Sequence, residues 1–146
     1  MAKLDRVVVY LAHPVAPVPG GPTVAENVTN ALAWLKCIVL ASRGWAVCAP
    51  WIPYVQVLED SGKVECPIRR RGMADDLAVL ERCDFMVMVG GRISRGMQGE
   101  KEHAEERGIP VFDWTSAGYR VPLTEGVTAL LALSTHKEFL LMKGKL

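Results

Sequence analysis

The sequence has few of the residues from which metal and disulfide sites are built. Its 146 residues include four cysteines and three histidines. No two cysteines have the C-x-x-C spacing and no pair of histidines accompanies them, so a zinc site is not indicated. We expect buried free thiols in a reducing compartment at all four positions, Cys37, Cys48, Cys66 and Cys83.

Three common catalytic signatures are also missing. The stretch "GGRISRG" does not fit G-x-G-x-x-G, and "HPVAPVPGGP" fits neither that pattern nor a Walker A motif. A G-x-S-x-G nucleophile elbow is absent as well. Hydride transfer with a dinucleotide, ATP hydrolysis and Ser-His-Asp hydrolysis therefore have little support.

The chain has neither a strong net charge nor an uninterrupted apolar segment long enough to span a membrane. Its formal net charge is +1 and half of its residues are hydrophobic. These values do not favour binding to a nucleic acid polymer or to a membrane. The polar start "MAKLDR" does not resemble a signal peptide. We expect one cytoplasmic domain over residues 1–146.

Apolar runs and amphipathic segments alternate along the sequence. Strands are predicted at 6–12, 45–50, 85–90 and 109–114. Helices are predicted from a Thr23/Glu26 capping box to Gly44, at about 72–83, from Met97 to Gly108, and at 124–142. The connection 51–72 is predicted to be irregular. This order predicts an α/β fold, a flavodoxin/Rossmann-like three-layer sandwich with a mostly parallel sheet of four or five strands.

In such a sheet the ligand crevice lies at the carboxyl ends of the strands, near the topological switch point. The segments that open there are 13–23, 51–71, 91–97 and 114–124. Loops of unusual composition in this set are the ones we expect to face a ligand.

Glu100 attracts attention because it falls on the inward stripe of a polar helix. The small or apolar positions of that helix are Met97, Ala104 and Gly108, and Glu100 shares their face. With Glu100 in the first turn, the helix dipole would favour its carboxylate, a suitable state for a nucleophile. Position alone leaves open a surface glutamate that only complements the dipole.

A second acid could complete a catalytic pair. Asp75 and Asp76 start the predicted 72–83 helix, and Asp76 could face the same crevice as Glu100. Two carboxyl groups flanking a glycosidic bond would provide an acid and a nucleophile. Ordinary helix N-terminal charge is the competing explanation for both aspartates.

Three motifs over roughly residues 6–112 resemble the nucleoside 2-deoxyribosyltransferase-like superfamily: "VVVYLA", "DLAVLERCDFMVMV" and "SRGMQGEKEHAEERGIPV". The superfamily includes base-exchanging transferases and N-glycosidases of nucleoside 5′-monophosphates. The resemblance implies that Glu100 is the catalytic glutamate, that Asp76 is the catalytic-site aspartate, and that Tyr10 is the strand-end aromatic residue that positions Glu100. It also implies a small-molecule nucleotide or nucleoside substrate. The amphipathic final helix predicts a homodimer or higher homo-oligomer, although its apolar stripe could instead cover the sheet.

The residue at position 94 distinguishes branches of that superfamily. Members that act on free nucleosides tend to have an aspartate there, whereas nucleotide-acting members resemble this chain in having a serine. Ser94, with the backbone N–H groups of Gly96 and Met97, would form a phosphate cradle; a plain N-cap serine is the other explanation.

One departure from the nucleotide-acting pattern concerns the loop after the first strand. A G-S-x-R type loop is expected there, and this chain has His13–Ala16 instead. Arg92, Arg95 or the Arg69–Arg71 run could supply the missing positive charge, although that run could also be a solvated loop. The residues Gln98–Gly99 before the glutamate are a second departure.

The remaining candidates are weaker. His13 could contact a base or a phosphate, or be a satisfied loop histidine. Trp51 and Tyr54 could stack on a nucleobase, or pack in the core or in a lid. Asn27 and the segment 115–124 are weaker candidates still. The resemblance implies that a residue of a neighbouring subunit often completes the site, and Thr115, Ser116 or Thr124 could be that residue.

The sequence therefore predicts an N-glycosidase acting on a nucleoside 5′-monophosphate, with a pyrimidine nucleotide such as CMP or dCMP favoured. The chemistry requires no metal or organic cofactor. A nucleoside 2′-deoxyribosyltransferase and a non-catalytic nucleotide sensor on the same fold are the alternatives.

Overall fold

The computed structural model describes residues 6–42, 44–61 and 67–134. Cys66 and the predicted helical residues 135–142 lie outside this part of the chain. Within it, the strands are β1 (Val7–Ala12), β2 (Trp45–Cys48), β3 (Phe85–Met88) and β4 (Val111–Asp113). The helices are α1 (Val24–Ala41), α2 (Trp51–Ser61), α3 (Pro67–Leu80), α4 (Arg95–Glu106) and α5 (Thr124–Ser134), with a short 3-10 helix at Thr115–Ala117.

The four strands form one parallel sheet in the order β2-β1-β3-β4. Tyr10 of β1 lies opposite Cys48 of β2 on one side and Met86 of β3 on the other. The predicted α/β class and Rossmann/flavodoxin-like parallel sheet are confirmed. The switch point falls between β1 and β3, whose carboxyl ends meet at the same edge.

Alternate residues of β1 and β3 supply two separate cores, one on each face of the sheet. Tyr10, Ala12, Met86 and Met88 belong to one buried cluster, which also contains residues of α2, α3 and α4. Val9, Leu11, Phe85 and Val87 belong to the other, which contains residues of α1 and α5. Because both faces of the sheet are covered, the sequences of β1 and β3 are continuous apolar runs and do not alternate between apolar and polar residues.

The capping box predicted for α1 is present. Thr23 Oγ1 accepts a hydrogen bond from the Glu26 N–H at 3.1 Å, and Glu26 Oε1 accepts one from the Thr23 N–H at 3.2 Å. The 18 residues of α1 have a mean hydropathy of 1.2, which meets the minimum for a membrane-spanning helix by length and composition. The helix packs on the sheet through Trp34 and Ile38, both fully buried, while 28% of its 18 residues are buried.

The predicted irregular connection at 51–72 is wrong. Its described residues form α2 and the first turns of α3. Both prolines lie in the first turn of their helix, Pro53 in α2 and Pro67 in α3, where a missing N–H loses no helical hydrogen bond. Trp51, Ile52 and Val55 pack into the core cluster on the Tyr10 face, so tertiary burial stabilises this segment as helix.

Candidate active site

Tyr10, Asp76 and Glu100 come together on one face of the sheet. Tyr10 points from the middle of β1, and its hydroxyl donates a hydrogen bond to Glu100 Oε2 of α4. Asp76 of α3 lies close enough to both groups to act on them electrostatically. These residues are separated by 66 and 24 positions in the sequence, and the β1–α3–α4 packing unites them.

Burial raises the pKa of both carboxyl groups. It is the largest cause of the shift of the Glu100 pKa to about 7, which the negative charge of Asp76 also favours and the hydrogen bond from Tyr10 opposes. The pKa of Asp76 is likewise raised to about 7, first by burial and then by the neighbouring Asp75. Burial, Glu100 and Asp76 hold the pKa of the Tyr10 phenol far above its usual range, so Tyr10 remains a donor.

Two nearby carboxyl groups that both ionise near neutral pH favour a state with one proton between them. The hydrogen bond from Tyr10 stabilises a carboxylate at Glu100. Asp76 Oδ1 is buried and has no hydrogen-bond partner among the described residues, which disfavours a charge at Asp76. These two contacts favour the negative charge on Glu100 and the proton on Asp76.

The helix dipole is a smaller influence on Glu100 than the sequence suggested. Ser94 is the N-cap of α4, which places Glu100 in the second turn, and the first turn contains no acidic residue. Dipole stabilisation falls off within the first turn. The placement of Glu100 in the first turn was wrong, and burial decides its protonation. The inward stripe is confirmed at Met97 and Ala104, which are buried. Its third position, Gly108, was wrong, since Gly108 lies beyond the end of α4 and is exposed.

Asp75 faces a different set of groups from Asp76. Tyr54 of α2 donates a hydrogen bond to Asp75 Oδ2, and Arg71 Nε lies 3.4 Å from the same oxygen. Asp75 thus joins α3 to α2, whereas Asp76, one residue later, acts electrostatically on Tyr10 and Glu100. The hydrogen bond of Tyr54 gives that ring a structural contact at this junction.

The first turn of α4 contains the residues predicted to hold a phosphate. Ser94 Oγ accepts a hydrogen bond from the Met97 N–H at 3.2 Å, so Ser94 acts as an N-cap and occupies one of the two predicted amides. The Gly96 N–H belongs to the first turn, whose amides have no partner within the helix. Arg95 is exposed beside it. Arg92 Nη2 donates to the Ala16 carbonyl at 2.8 Å and ties this turn to the loop after β1.

His13 is buried just after β1, in a polar network with Pro14 and with Asn30 of α1. Its Nδ1 lies 2.7 Å from the Pro14 carbonyl and its Nε2 lies 2.8 Å from Asn30 Nδ2. Because a carbonyl accepts and an amide nitrogen donates, the ring is neutral with its proton on Nδ1. Burial lowers the pKa of His13 despite the Pro14 hydrogen bond, and the charge of Arg92 lowers it further. Both ring nitrogens are used within the protein.

Trp51 is a core residue in this structure. Its side chain is 6% exposed, and its indole N–H donates to the Leu11 carbonyl at 2.9 Å. Little of the ring surface is left for stacking on a base. Thr115 donates from its N–H and its hydroxyl to Asp113 Oδ1, and Ser116 is exposed.

The thiols and the metal-ligating side chains form no catalytic cluster in the described ranges. Cys37, Cys48 and Cys83 are free, and the Cys48 and Cys83 sulfur atoms lie 3.9 Å apart. Cys83 is buried and the other two are partly buried. In the same part of the chain, no group of three His, Cys, Asp or Glu side chains is placed to hold a metal ion.

Residues 7–113 match a family described as "Domain of unknown function (DUF7768)". The chain belongs to the DUF7768 family. No curated protein and no solved structure matches it significantly. The DUF7768 match runs from the start of β1 to the end of β4, and therefore includes Tyr10, Asp76 and Glu100.

Asn30 was not among the predicted site residues, and Tyr119 was included only within the weak candidate segment 115–124. Asn30 Nδ2 donates to the carbonyl of Tyr119 at 2.7 Å as well as contacting His13, and the Tyr119 hydroxyl donates to Asn27 Oδ1 at 2.9 Å. Tyr119 lies beyond the end of the DUF7768 match. A signal for the asparagines was present, because Asn27 and Asn30 lie on the apolar face of α1 beside Ala31 and Trp34.

Proposed function

We propose that this protein cleaves the base–sugar bond of a nucleoside 5′-monophosphate. The observation that carries the proposal is the placement of two acids that titrate near neutral pH, one hydrogen-bonded by a buried tyrosine and one with an unpartnered oxygen. A retaining glycosidase requires such a pair, one group as nucleophile and the other as acid. The order of the three sequence motifs that resemble the deoxyribosyltransferase-like superfamily supports the same chemistry.

In the first step, a carboxylate oxygen of Glu100 attacks the anomeric carbon of the sugar. The bond from that carbon to the base nitrogen breaks and its electron pair goes to the base, which takes the proton of Asp76. In the second step, water attacks the anomeric carbon, Glu100 leaves as a carboxylate, and Asp76 takes a proton from the water. Each acid thereby returns to its starting form.

Tyr10 would contribute by orientation and by charge. Its hydroxyl fixes one oxygen of Glu100 and leaves the other free to attack. Because its pKa is held far above the usual range, Tyr10 remains a hydrogen-bond donor throughout. The phosphate would lie at the first turn of α4, where the Gly96 amide and the Arg95 side chain offer donors and positive charge.

A screen of nucleosides and nucleoside monophosphates for free base, measured by chromatography, tests the activity. We expect release of base from a monophosphate by the wild-type protein. We expect Glu100→Ala to reduce this release by roughly 10³-fold or more, since it removes the nucleophile. Glu105→Gln is a matched control, because Glu105 is an exposed acid on the same helix.

The outcome also distinguishes the alternatives. Adding a free acceptor base and finding an exchanged nucleoside or nucleotide would indicate a transferase. Thermal stabilisation by nucleotides with no base released by the wild-type protein would indicate a sensor and contradict the proposal. Full activity of a folded Glu100→Ala variant would contradict the role of Glu100.

A further inference from the structure

Two cysteine side chains that the proposed reaction does not use lie next to each other on the Tyr10 face of the sheet. The Sγ atoms of Cys48 and Cys83 are 3.9 Å apart, although the two residues are separated by 35 positions in the sequence. Both pack in the core cluster that contains Tyr10. Cys37 packs in the cluster on the opposite face, so the sheet separates it from the pair.

Cys48 and Cys83 are both held against β1. Cys48 of β2 lies opposite Tyr10 in the parallel register. Cys83 precedes Asp84, whose N–H donates to the Val8 carbonyl at 2.8 Å and whose Oδ2 accepts from the Val8 N–H at 2.7 Å. A disulfide requires the two sulfur atoms to approach by roughly 2 Å, a distance within the range of side-chain rotation. The fold therefore places the two thiols where a disulfide can close.

The hydrogen bonds that the two thiols make with the backbone are weak. Cys48 Sγ donates to the Val9 carbonyl at 3.4 Å, and Cys83 Sγ donates to the Val79 carbonyl at 3.3 Å. A thiol is a poor hydrogen-bond donor, so the loss of these two contacts opposes a disulfide only slightly.

The two thiols differ in their access to solvent. Cys48 is partly exposed on β2, an edge strand of the described sheet, whereas Cys83 is 4% exposed. When the Cys83 thiol donates to the Cys48 sulfur, it lowers the pKa of Cys48, which burial opposes. The thiolate is the nucleophilic form of cysteine. A small oxidant from solvent therefore reacts first at Cys48, and Cys83 stands ready to displace the product.

We propose that Cys48 and Cys83 form a modification site, a dithiol that hydrogen peroxide converts to a reversible disulfide. In the first step the Cys48 sulfur attacks a peroxide oxygen, the S–O bond forms, the O–O bond breaks, and the leaving hydroxide takes the Cys48 thiol proton. In the second step the Cys83 sulfur attacks the Cys48 sulfur, the S–S bond forms and the S–O bond breaks. The hydroxide that leaves takes the Cys83 proton. Two thiols thus lose two electrons, and the peroxide becomes two waters.

Such a disulfide does not require an oxidising compartment. In reducing compartments, disulfides form transiently and commonly serve redox sensing. Thiol–disulfide exchange with a reduced dithiol reverses them. The pair also lies near the proposed site, because Cys83 follows α3, which contains Asp76, and Cys48 lies opposite Tyr10. Closing the bond would therefore pull on two elements that hold site residues.

Peptide mapping of the folded full chain tests the pairing. The protein is treated with hydrogen peroxide, its remaining thiols are blocked, and linked peptides are identified by mass spectrometry. We expect one linked peptide that contains Cys48 and Cys83, with a loss of roughly 2 Da from the intact chain. Two of the four cysteines should become unreactive toward a thiol reagent. Dithiothreitol should restore both.

Serine variants separate the pair from the other thiols. The double variant Cys37→Ser/Cys66→Ser is the matched control and should form the same linked peptide. In Cys83→Ser a sulfenic acid should accumulate at Cys48, where a 1,3-dione reagent traps it, whereas Cys48→Ser should keep Cys83 reduced. If Cys83→Ser does not fold because its buried site does not accommodate a hydroxyl, the wild-type peptide map decides by itself.

Base release is then compared in the reduced and the oxidised protein. We expect oxidation to slow it by roughly tenfold or more, because small displacements in an active site reduce rates strongly. This effect rests on the proposed function, whereas the disulfide does not. A reduced protein that releases no base would reject the proposed function and leave the linked peptide as support for the modification site.

The peptide map also gives the results that would overturn the proposal. One is a protein whose thiols all remain reactive under conditions that fully oxidise glutathione. Another is a linked peptide that joins Cys37 or Cys66 to either member of the pair. A third is oxidation of Cys48 to sulfinic acid in the wild-type protein with no disulfide, since Cys83 would then be unable to reach it.

Discussion

Glu100 and Asp76 are partly removed from water, and burial is the largest cause of the raised pKa of each. A carboxyl group in such a place binds its proton more tightly than it does in the unfolded chain. The resulting free-energy cost is borne by the folded protein at neutral and alkaline pH. Such a cost at a pair of facing acids is typical of a functional site, where chemistry rather than stability selects the residue.

Replacing Glu100 by Gln should stabilise the protein at alkaline pH. Below pH 4.5, the ordinary pKa of the group, both states are protonated and burial costs little. Between 4.5 and about 7 the unfolded chain ionises first, so stability falls as pH rises, and above about 7 the full cost is present. We expect Glu100→Gln to gain about 1–3 kcal/mol at pH 8 and much less at pH 5.

Urea unfolding of both proteins at the two pH values measures this difference. Glu105→Gln, an exposed replacement on the same helix, should show no such pH dependence. A gain for Glu100→Gln that is equal at both pH values would show that burial of the acid is not its origin.

The helices that flank the site begin and end at residues with defined hydrogen-bond roles. Gly108 has φ of +69°, and the N–H groups of Gly108 and Ile109 donate to the carbonyls of Glu105 and Ala104. This is the Schellman pattern that ends α4. Together with the Ser94 cap it fixes which face of α4 points to the sheet, and therefore where Glu100 lies.

The capping box of α1 should make a measurable contribution to stability. Thr23→Ala removes the side chain that accepts from the Glu26 N–H, and we expect a loss of about 1 kcal/mol in the free energy of unfolding. Thr29→Ala makes the same chemical change at an exposed position in the middle of the helix. It should be neutral or slightly stabilising because alanine has the higher helix propensity. Equal losses in the two variants would contradict a capping role.

The turn between β3 and α4 requires glycine at position 90. Gly90 has φ of +102°, and a Cβ there would lie 2.6 Å from Pro14 Cδ and 2.9 Å from the His13 ring. We expect Gly90→Ala to destabilise the protein by roughly 2 kcal/mol or more, through strain and steric overlap. Gly99→Ala, inside α4 with open space around it, should instead stabilise by up to about 1 kcal/mol. Thermal or urea unfolding measures both changes in stability. A Gly90→Ala variant as stable as wild type would show that the turn at Gly90 and the loop at His13–Pro14 can move apart.

At the scale of the whole molecule, a buried polar network joins segments that lie far apart in the sequence. Asn30 of α1 contacts His13 at the end of β1 and the carbonyl of Tyr119, which also accepts from Trp34 Nε1 at 3.0 Å. Gly91 allows close approach to Tyr119, since a Cβ there would lie 3.0 Å from its backbone nitrogen. The loops at the carboxyl edge of the sheet are therefore held together by one set of contacts.

Asn30→Ala should loosen this edge of the molecule. It leaves the Nε2 atom of His13 without its donor, and we expect a loss of roughly 1–3 kcal/mol in the free energy of unfolding. In Asn30→Ala, hydrogen exchange should accelerate relative to wild type more at the amides around Tyr119 than at those of β1. Gln98→Ala, at an exposed position, should stay within about 0.5 kcal/mol of wild type. Unchanged exchange around Tyr119 would show that Asn30 does not hold this loop.

Most of the strands and helices follow from local patterns in the sequence. The β-branched run at 6–12 and the Thr23–Glu26 spacing predicted β1 and the start of α1 because their signals lie within a few residues. The prediction of an irregular connection at 51–72 was wrong for the opposite reason. Its helices depend on burial of Trp51 and Ile52 against the sheet and on the approach of Tyr54 to Gly72, and neither contact can be read from neighbouring residues.

The candidate site also has features that follow from short-range sequence signals and features that depend on contacts between remote segments. The inward stripe of α4 identified Glu100 from the sequence, and helical periodicity alone is enough to explain that success. Three other features depend on the packing of β1, α3 and α4. They are which of the two adjacent aspartates lies near Glu100, which hydroxyl group donates to Glu100, and how strongly burial raises the pKa values of the two acids. The sequence by itself determined the four strands and the helices outside segment 51–72, and it marked Glu100 and the Asp75–Asp76 pair as candidate acids, because these follow from short-range pattern. Only the tertiary structure decided the protonation and pairing of those acids, because desolvation and distance arise when remote segments pack together.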